Sequence, residues 1–248
     1  MYDVLIVIAE KDFNKLRYLV DSIERYLIGY RDIYVISNVE IPANKTISGI
    51  VYSTDSKVLD FNFGRLQGVN VGRKGWYVQQ FIKLFQELTG NDYLVIDADV
   101  ILNRTIHVIE KDKPCFLFGK NQYHEPYFTF MKNVLGLHKE YSCSFINEIM
   151  YFKRDMIRGM INSVACNKYG FFELAINEIN RINDASGFSE YETYGNFIVT
   201  NFPELYGYKY LKTKSFNKSR PWTNEEIEEK RDSFEHQDID MLCMHSWI

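Results

Sequence analysis

YDVLIVIA, residues 2–9, is a short apolar run rich in branched side chains, with none of the alternation that marks a half-solvated strand. It reads as a strand buried on both faces, as strands inside parallel sheets are. Downstream, Phe13, Leu16, Leu19, Val20, Ile23, Tyr26 and Leu27 recur at steps of three and four, which predicts an amphipathic helix stopped by Gly29. IYVI, residues 33–36, is a second buried strand, closed by Ser37 and Asn38. Strand, helix and strand within about 40 residues make a βαβ unit, hence a parallel sheet.

The pattern extends outward from there. Residues 50–52 suit a third strand, and the periodicity then dissolves into the glycine-bearing stretch 55–75. A helix is expected over 76–88, with Tyr77, Phe81, Leu84, Phe85 and Leu88 on one face and Gly90 as its stop. YLVI, residues 93–96, is a central strand running directly into Asp97-Ala98-Asp99. The first hundred residues therefore predict an open, mostly parallel, Rossmann-type α/β sheet flanked by helices. Beyond it the chain is less regular. A strand is expected at 115–119 and helices near 155–165, 172–182 and 189–199, while the apolar stretch 145–152 has no clear assignment. Thr223 and Glu226 form a capping box ahead of a charged helix reaching about 234. Residues 239–245 read as a closing strand. Without a repeat or an evident linker, one continuous domain over residues 1–248 is expected, with a regular half, 1–103, and a less regular half, 104–248.

Composition narrows the function. Of 248 residues, 46% are hydrophobic and 25% charged, a globular balance that excludes a disordered chain. The net charge of −4 supplies no basic field for a nucleic-acid backbone. Cys115, Cys143, Cys166 and Cys243 include no CxxC pair, against zinc-ribbon and thioredoxin readings and in favour of a reducing compartment. No stretch approaches the roughly 18 apolar residues of a membrane span, and no signal-type segment opens the chain. A cytoplasmic location is expected, with peripheral membrane contact left open. The chain is 16% aromatic, enough for ring-shaped ligand platforms as well as cores.

Ligands of open α/β sheets bind at the carboxyl ends of strands, where Asp97 and Asp99 fall. Alternation along an extended backbone would point both carboxylates to one side, to hold a hard divalent cation against a diphosphate. A D-x-D alone is common, and Asp238-Ile239-Asp240 is another; the apolar strand before Asp97 gives the first one its context.

VLIVIAEKD (4–12), GWYVQQ (75–80) with Lys83, YLVIDADVIL (93–102), FSEYETYG (188–195) and the near-terminal MHSW (244–247) carry a family likeness. On these segments the chain resembles nucleotide-sugar-dependent glycosyltransferases of the GT-A fold, and more narrowly the bacterial and viral DUF6492 group. The resemblance implies a nucleotide sugar under the first strands, Mn²⁺ or Mg²⁺ on the D-x-D, and an acceptor groove from the second half. It names neither sugar nor nucleotide.

In that light Asp99 is the first choice for a direct metal ligand. Asp97 touches the ribose or a metal-bound water, and His245, alternating with Met241 and Cys243 on the last strand, is a third ligand. Arg65, Arg73 and Lys74, with Gln80 and Lys83 on the following helix, are donor-contact candidates where charge builds on the departing diphosphate. Gln79, Gln80 and Lys83 would otherwise be a solvated stripe. Ala9, Glu10 and Asn38, after the first two strands, are candidate nucleotide contacts. For an inverting reaction Glu190 and Glu192 are candidate bases, Glu190 preferred, Glu148 in reserve, with Phe188, Tyr191 and Tyr194 as a sugar platform. The acceptor is expected to be a glycan or glycolipid. Two other functions also place acids after a buried strand or keep a donor site. One is an aspartate-nucleophile phosphatase, weakened by Ile101 where a small hydroxyl residue is expected; the other is a non-catalytic nucleotide-sugar-binding protein.

Overall fold

A computed structural model describes residues 1–59, 72–119 and 121–246. Short bridges and turns aside, the first part contains β1 (Tyr2–Ile8), α1 (Leu16–Tyr26), β2 (Tyr30–Ser37), β3 (Ile50–Thr54), α2 (Lys74–Phe85), β4 (Tyr93–Ile96) and β5 (Val100–Leu102). Then come β6 (Lys113–Phe118), α3 (Glu125–Leu135), β7 (Ile149–Phe152), α4 (Arg154–Asn162), α5 (Lys168–Ile182) and α6 (Glu190–Asn201). The last elements are β8 (Gly207–Tyr210), β9 (Thr213–Lys218), α7 (Asn224–Phe234) and β10 (Met241–Ser246).

The main sheet has the order β7-β4-β1-β2-β3. Its last four strands are parallel, with Val4 beside Leu94 on one side and Ile33 on the other, and β7 is an antiparallel edge. Every residue of β1 is buried, which explains the apolar run Val4–Ile8; the buried Asp3 carboxylate is paired with Arg31 at 2.8 Å. A second sheet pairs β10 with β9 in parallel and with β5 antiparallel, so the closing strand lies next to the segment that follows Asp99. A third joins β8 to β6 in parallel. No helix among the described residues is long and apolar enough to cross a membrane.

Two helices end earlier than expected. α1 stops at Tyr26 because Leu27 turns extended and pairs, with Ile28, to Ile106 and His107; Gly29, at φ +91°, makes the turn after that bridge. α2 stops at Phe85, where Gln86 becomes extended and its amide bonds Thr89, four residues before Gly90 could act. The unassigned stretch 145–152 yields β7 only in its second half. The capping box forms as read, with both reciprocal bonds between Thr223 and Glu226. α3, β8 and β9 have no counterpart in the sequence reading.

One close contact fixes the second half. On α6, a Cβ added to Gly195 would stand 2.2 Å from Cγ of Phe145, so the Phe145 ring lies directly on the helix backbone. Ser144 and the Phe145 amide are bonded to Glu192 on the same helix, locking the segment that leads into β7.

Candidate active site

The carboxyl ends of β1, β2 and β4 open onto a cleft of about 1020 Å³, lined by Ala9, Asn38, Asp97 and Asp99 from those ends. That is ample for a drug-sized ligand. The loops are tied together: the Glu10 amide donates to Asn38 Oδ1 at 2.9 Å, while the Glu10 side chain is exposed and outside the cleft.

Asp97-Ala98-Asp99 is a turn, not an extended strand end, closed by the Val100 amide on the Asp97 carbonyl at 3.1 Å. The expected alternation is therefore absent, and the two acids meet different partners. Asp97 Oδ1 accepts from Tyr191 Oη at 2.8 Å and lies 2.7 Å from Lys83 Nζ. Asp99 Oδ2 lies 2.6 Å from His245 Nδ1, delivered by β10 from 146 residues away. The Met244 amide donates to the Asp99 carbonyl at 2.7 Å. Burial alone would raise the Asp99 pKa, but the His245 hydrogen bond and charge and the Lys15 cation outweigh it and hold Asp99 below its ordinary value.

His245 is held by residues the sequence did not single out. Lys15 is buried, pairs with Asp12 at 2.7 Å, and donates to the Met244 carbonyl at 2.7 Å and Ser246 Oγ at 3.1 Å. Trp222 Nε1 donates to the His245 carbonyl at 3.1 Å. On the ring's other side, Nε2 lies 3.7 Å from Glu148 Oε1. Glu148 has φ +56°, a left-handed conformation uncommon for a side chain of its kind, and its carbonyl accepts from the Asp97 amide at 2.8 Å. Among the described residues, Glu148, Cys243 and His245 are the trio whose ligand atoms all fall within 4.8 Å of one another.

Lys83 lines the cleft but is not a solvated residue. Its side chain is buried, and Nζ meets Glu190 Oε1 and Asp97 Oδ1 at 2.7 Å each and Tyr191 Oη at 3.3 Å, which uses its three N–H bonds. Burial would depress the ammonium, but the two carboxylates overcome it and push its pKa up. Glu190 lines the cleft; burial, only partly offset by Lys83, raises its pKa above the ordinary carboxylate value. Its amide donates to Gln80 Oε1 at 3.0 Å. That leaves Gln80 Nε2 a buried donor with no hydrogen-bond partner among the described residues, in a residue that borders the cleft.

Other expectations separate in the same way. Glu192 does not line the cleft: two residues along α6 turn it about 200° from Glu190, and it accepts from Ser144, the Phe145 amide and Asn196. Phe188 and Tyr194 are no sugar platform. Phe188 is fully buried against Phe81 and Phe130, and Tyr194 is fully buried with its hydroxyl on Tyr206 and the Lys153 amide. Tyr191 does reach the cleft. Arg73 lines it, 4.4 Å over the Trp76 ring, which itself stacks on Tyr127 of α3 at 6.4 Å. Lys74 is exposed and outside the cleft, and Arg65 lies outside the described residues.

The sequence matches no protein-family model and no curated protein. Solved structures do resemble it. The galactosyltransferase LgtC, in complex with donor and acceptor sugar analogs, aligns with a TM-score of 0.51 and 10% identity over 98% of this chain and 86% of that one. The apo form of mouse xyloside xylosyltransferase 1 aligns at 0.47 and 10% identity over 98% and 97%. The fold is that of the GT-A glycosyltransferases, a mixed α/β domain around a mostly parallel sheet.

Proposed function

We propose that the chain is a metal-assisted glycosyltransferase, moving a sugar from a nucleoside-diphosphate donor to a glycan or glycolipid, like the DUF6492 group its motifs resemble. One observation carries this reading: Asp99, in the turn after a central parallel strand, met at 2.6 Å by an imidazole from a distant strand, beside a cleft of nucleotide-sugar size.

The side chains there fit Mn²⁺ or Mg²⁺, since Asp97 and Asp99 are hard oxygen donors, His245 is a borderline nitrogen donor, and the pKa of Asp99 is held low. Asp99 and His245 would hold the cation directly, while Asp97, engaged by Tyr191 and Lys83, would meet it through a bound water or touch the ribose; the ion would neutralise charge gathering on the leaving diphosphate. Ala9 and Asn38 would border the nucleoside. Arg73 and Gln80 Nε2 supply donors to phosphate or sugar oxygens. Lys83 acts through its neighbours, fixing Asp97 and Glu190 relative to each other. In an inverting reaction Glu190 would take the acceptor proton, a role that its raised proton affinity favours.

The test is a melting-temperature and product-release screen of nucleotide sugars with and without Mn²⁺. A donor that binds raises the melting temperature by mass action, and turnover releases the nucleoside diphosphate. Asp99→Ala should abolish metal-stimulated release while the fold persists. Binding without release would leave a non-catalytic binding protein, and full activity in Asp99→Ala would refute the proposal.

A further inference from the structure

Three tyrosines outside the cleft form a surface that the cleft chemistry does not use. β8 is an edge strand whose Tyr208 and Tyr210 pair in register with Phe116 and Phe118 of β6. Strand alternation puts both tyrosines on one face, 42% and 68% exposed, and Tyr141 beside them is 37% exposed. The Tyr141 and Tyr208 rings are held by their neighbours. Tyr208 stacks on Phe118 at 5.8 Å and 8° and on Tyr141 at 5.3 Å and 28°, and its hydroxyl donates to Tyr141 Oη at 2.9 Å. Exposed aromatic area of this kind marks an interaction surface.

We propose that Tyr141, Tyr208 and Tyr210 form a stacking platform for a saccharide, holding the part of a glycan acceptor that extends beyond the reacting sugar. The inference rests on the transferase reading above. Continuity with the cleft supports it. Tyr141 contacts Phe145 at 6.4 Å, whose neighbour Ile146 lines the cleft. The chemistry selects the occupant. A pyranose offers a flat C–H face to a ring and hydroxyls around its edge, which match aromatic surfaces bearing phenol groups. An anionic lipid surface would call for outward cations, whereas Lys209, between the two β8 tyrosines, is turned to the other side and paired with Glu110 at 2.7 Å.

The experiment applies fluorescently labelled wild type, Tyr208→Ala and the Tyr208→Ala/Tyr210→Ala pair to an array of defined oligosaccharides. Nucleoside-diphosphate release from a nucleotide sugar is measured in parallel. The platform requires that wild type retain particular glycans, that the pair lose about tenfold in affinity, and that Tyr208→Trp restore binding. Donor hydrolysis and melting temperature should stay near wild type, since these side chains are exposed. Donor turnover with no glycan retained, or with glycans retained equally by the variants, overturns the platform alone. A wild type that turns over no nucleotide sugar overturns the transferase reading and the acceptor role together. Sedimentation showing a dimer lost on substitution, or binding to anionic vesicles instead of glycans, also overturns it, by giving the patch another occupant.

Discussion

Replacing Lys83 with Met should leave the buried Glu190 and the half-buried Asp97 facing each other without their shared cation. Asp97 and Glu190 oxygens each lie 2.7 Å from the same nitrogen, so they are at most twice that distance apart. At a separation of about 5 Å and an effective dielectric near 20, Coulomb's law gives repulsion of about 3 kcal/mol. Removing one partner of a buried ion pair independently suggests about 3–5 kcal/mol. The lower end applies here, because the Asp97 side chain is 28% exposed and water can reclaim part of its charge. For a domain of this size, about 3 kcal/mol lowers the melting temperature by roughly 6–12 °C. The assay is calorimetry on the metal-free protein, with circular dichroism to verify the fold. Adding Glu190→Gln to Lys83→Met should recover about 2 kcal/mol, since one of the opposed charges is gone, and the four proteins close a double-mutant cycle. A Lys83→Met melting point within about 2 °C of wild type, or no recovery in the double variant, would refute the ion-triad account.

Other consequences are open to simpler measurements. Gly195→Ala drives a methyl into the Phe145 ring and should cost about 1–3 kcal/mol by urea unfolding; an unchanged midpoint would contradict the contact. Glu192→Ala should lower stability by about 1–3 kcal/mol by stranding the Ser144 hydroxyl and Phe145 amide, and any activity lost should track the fraction unfolded. Lys15→Met should weaken the fixing of the His245 strand and raise the Mn²⁺ concentration needed for half-maximal donor turnover several-fold, whereas an unaltered metal titration would remove Lys15 from that role. The hydrogen bond from Arg181 to Glu178 holds that carboxyl below its ordinary pKa. Its contribution to stability is therefore complete above the unfolded carboxylate pKa and disappears as pH falls through the depressed folded value; Glu178→Gln should flatten the acid limb of a stability–pH curve.

The parallel sheet was legible because strands buried on both faces have to be largely apolar, and residues 4–8 and 93–96 are apolar throughout. The capping box was legible because its bonds are local. Helix ends were not: at Leu27 and Gln86 partners distant in sequence or a side-chain bond to the next turn displaced the glycine stops. α3 escaped notice because EPYFTFMKNVL mixes aromatic and polar residues without a clean stripe, although Phe128, Phe130 and Met131 do pack inward. Lys83 and Glu190 illustrate a different limit. A lysine on an amphipathic helix is ordinarily solvated, and only the approach of α6 reveals the acids that bury it. The same approach fills the core with Phe188 and Tyr194 and leaves Tyr191 for the cleft.

The bonds that define the cleft join positions 107 apart at Lys83 and Glu190, 146 at Asp99 and His245, and 229 at Lys15 and Met244. Each closes a very long loop, and loop closure of that length delays assembly. Refolding experiments should therefore recover helical signal well before any donor affinity. Cutting the chain after residue 103 would yield no half-competent fragment, because Asp99 loses His245 and Lys83 loses Glu190 across that division.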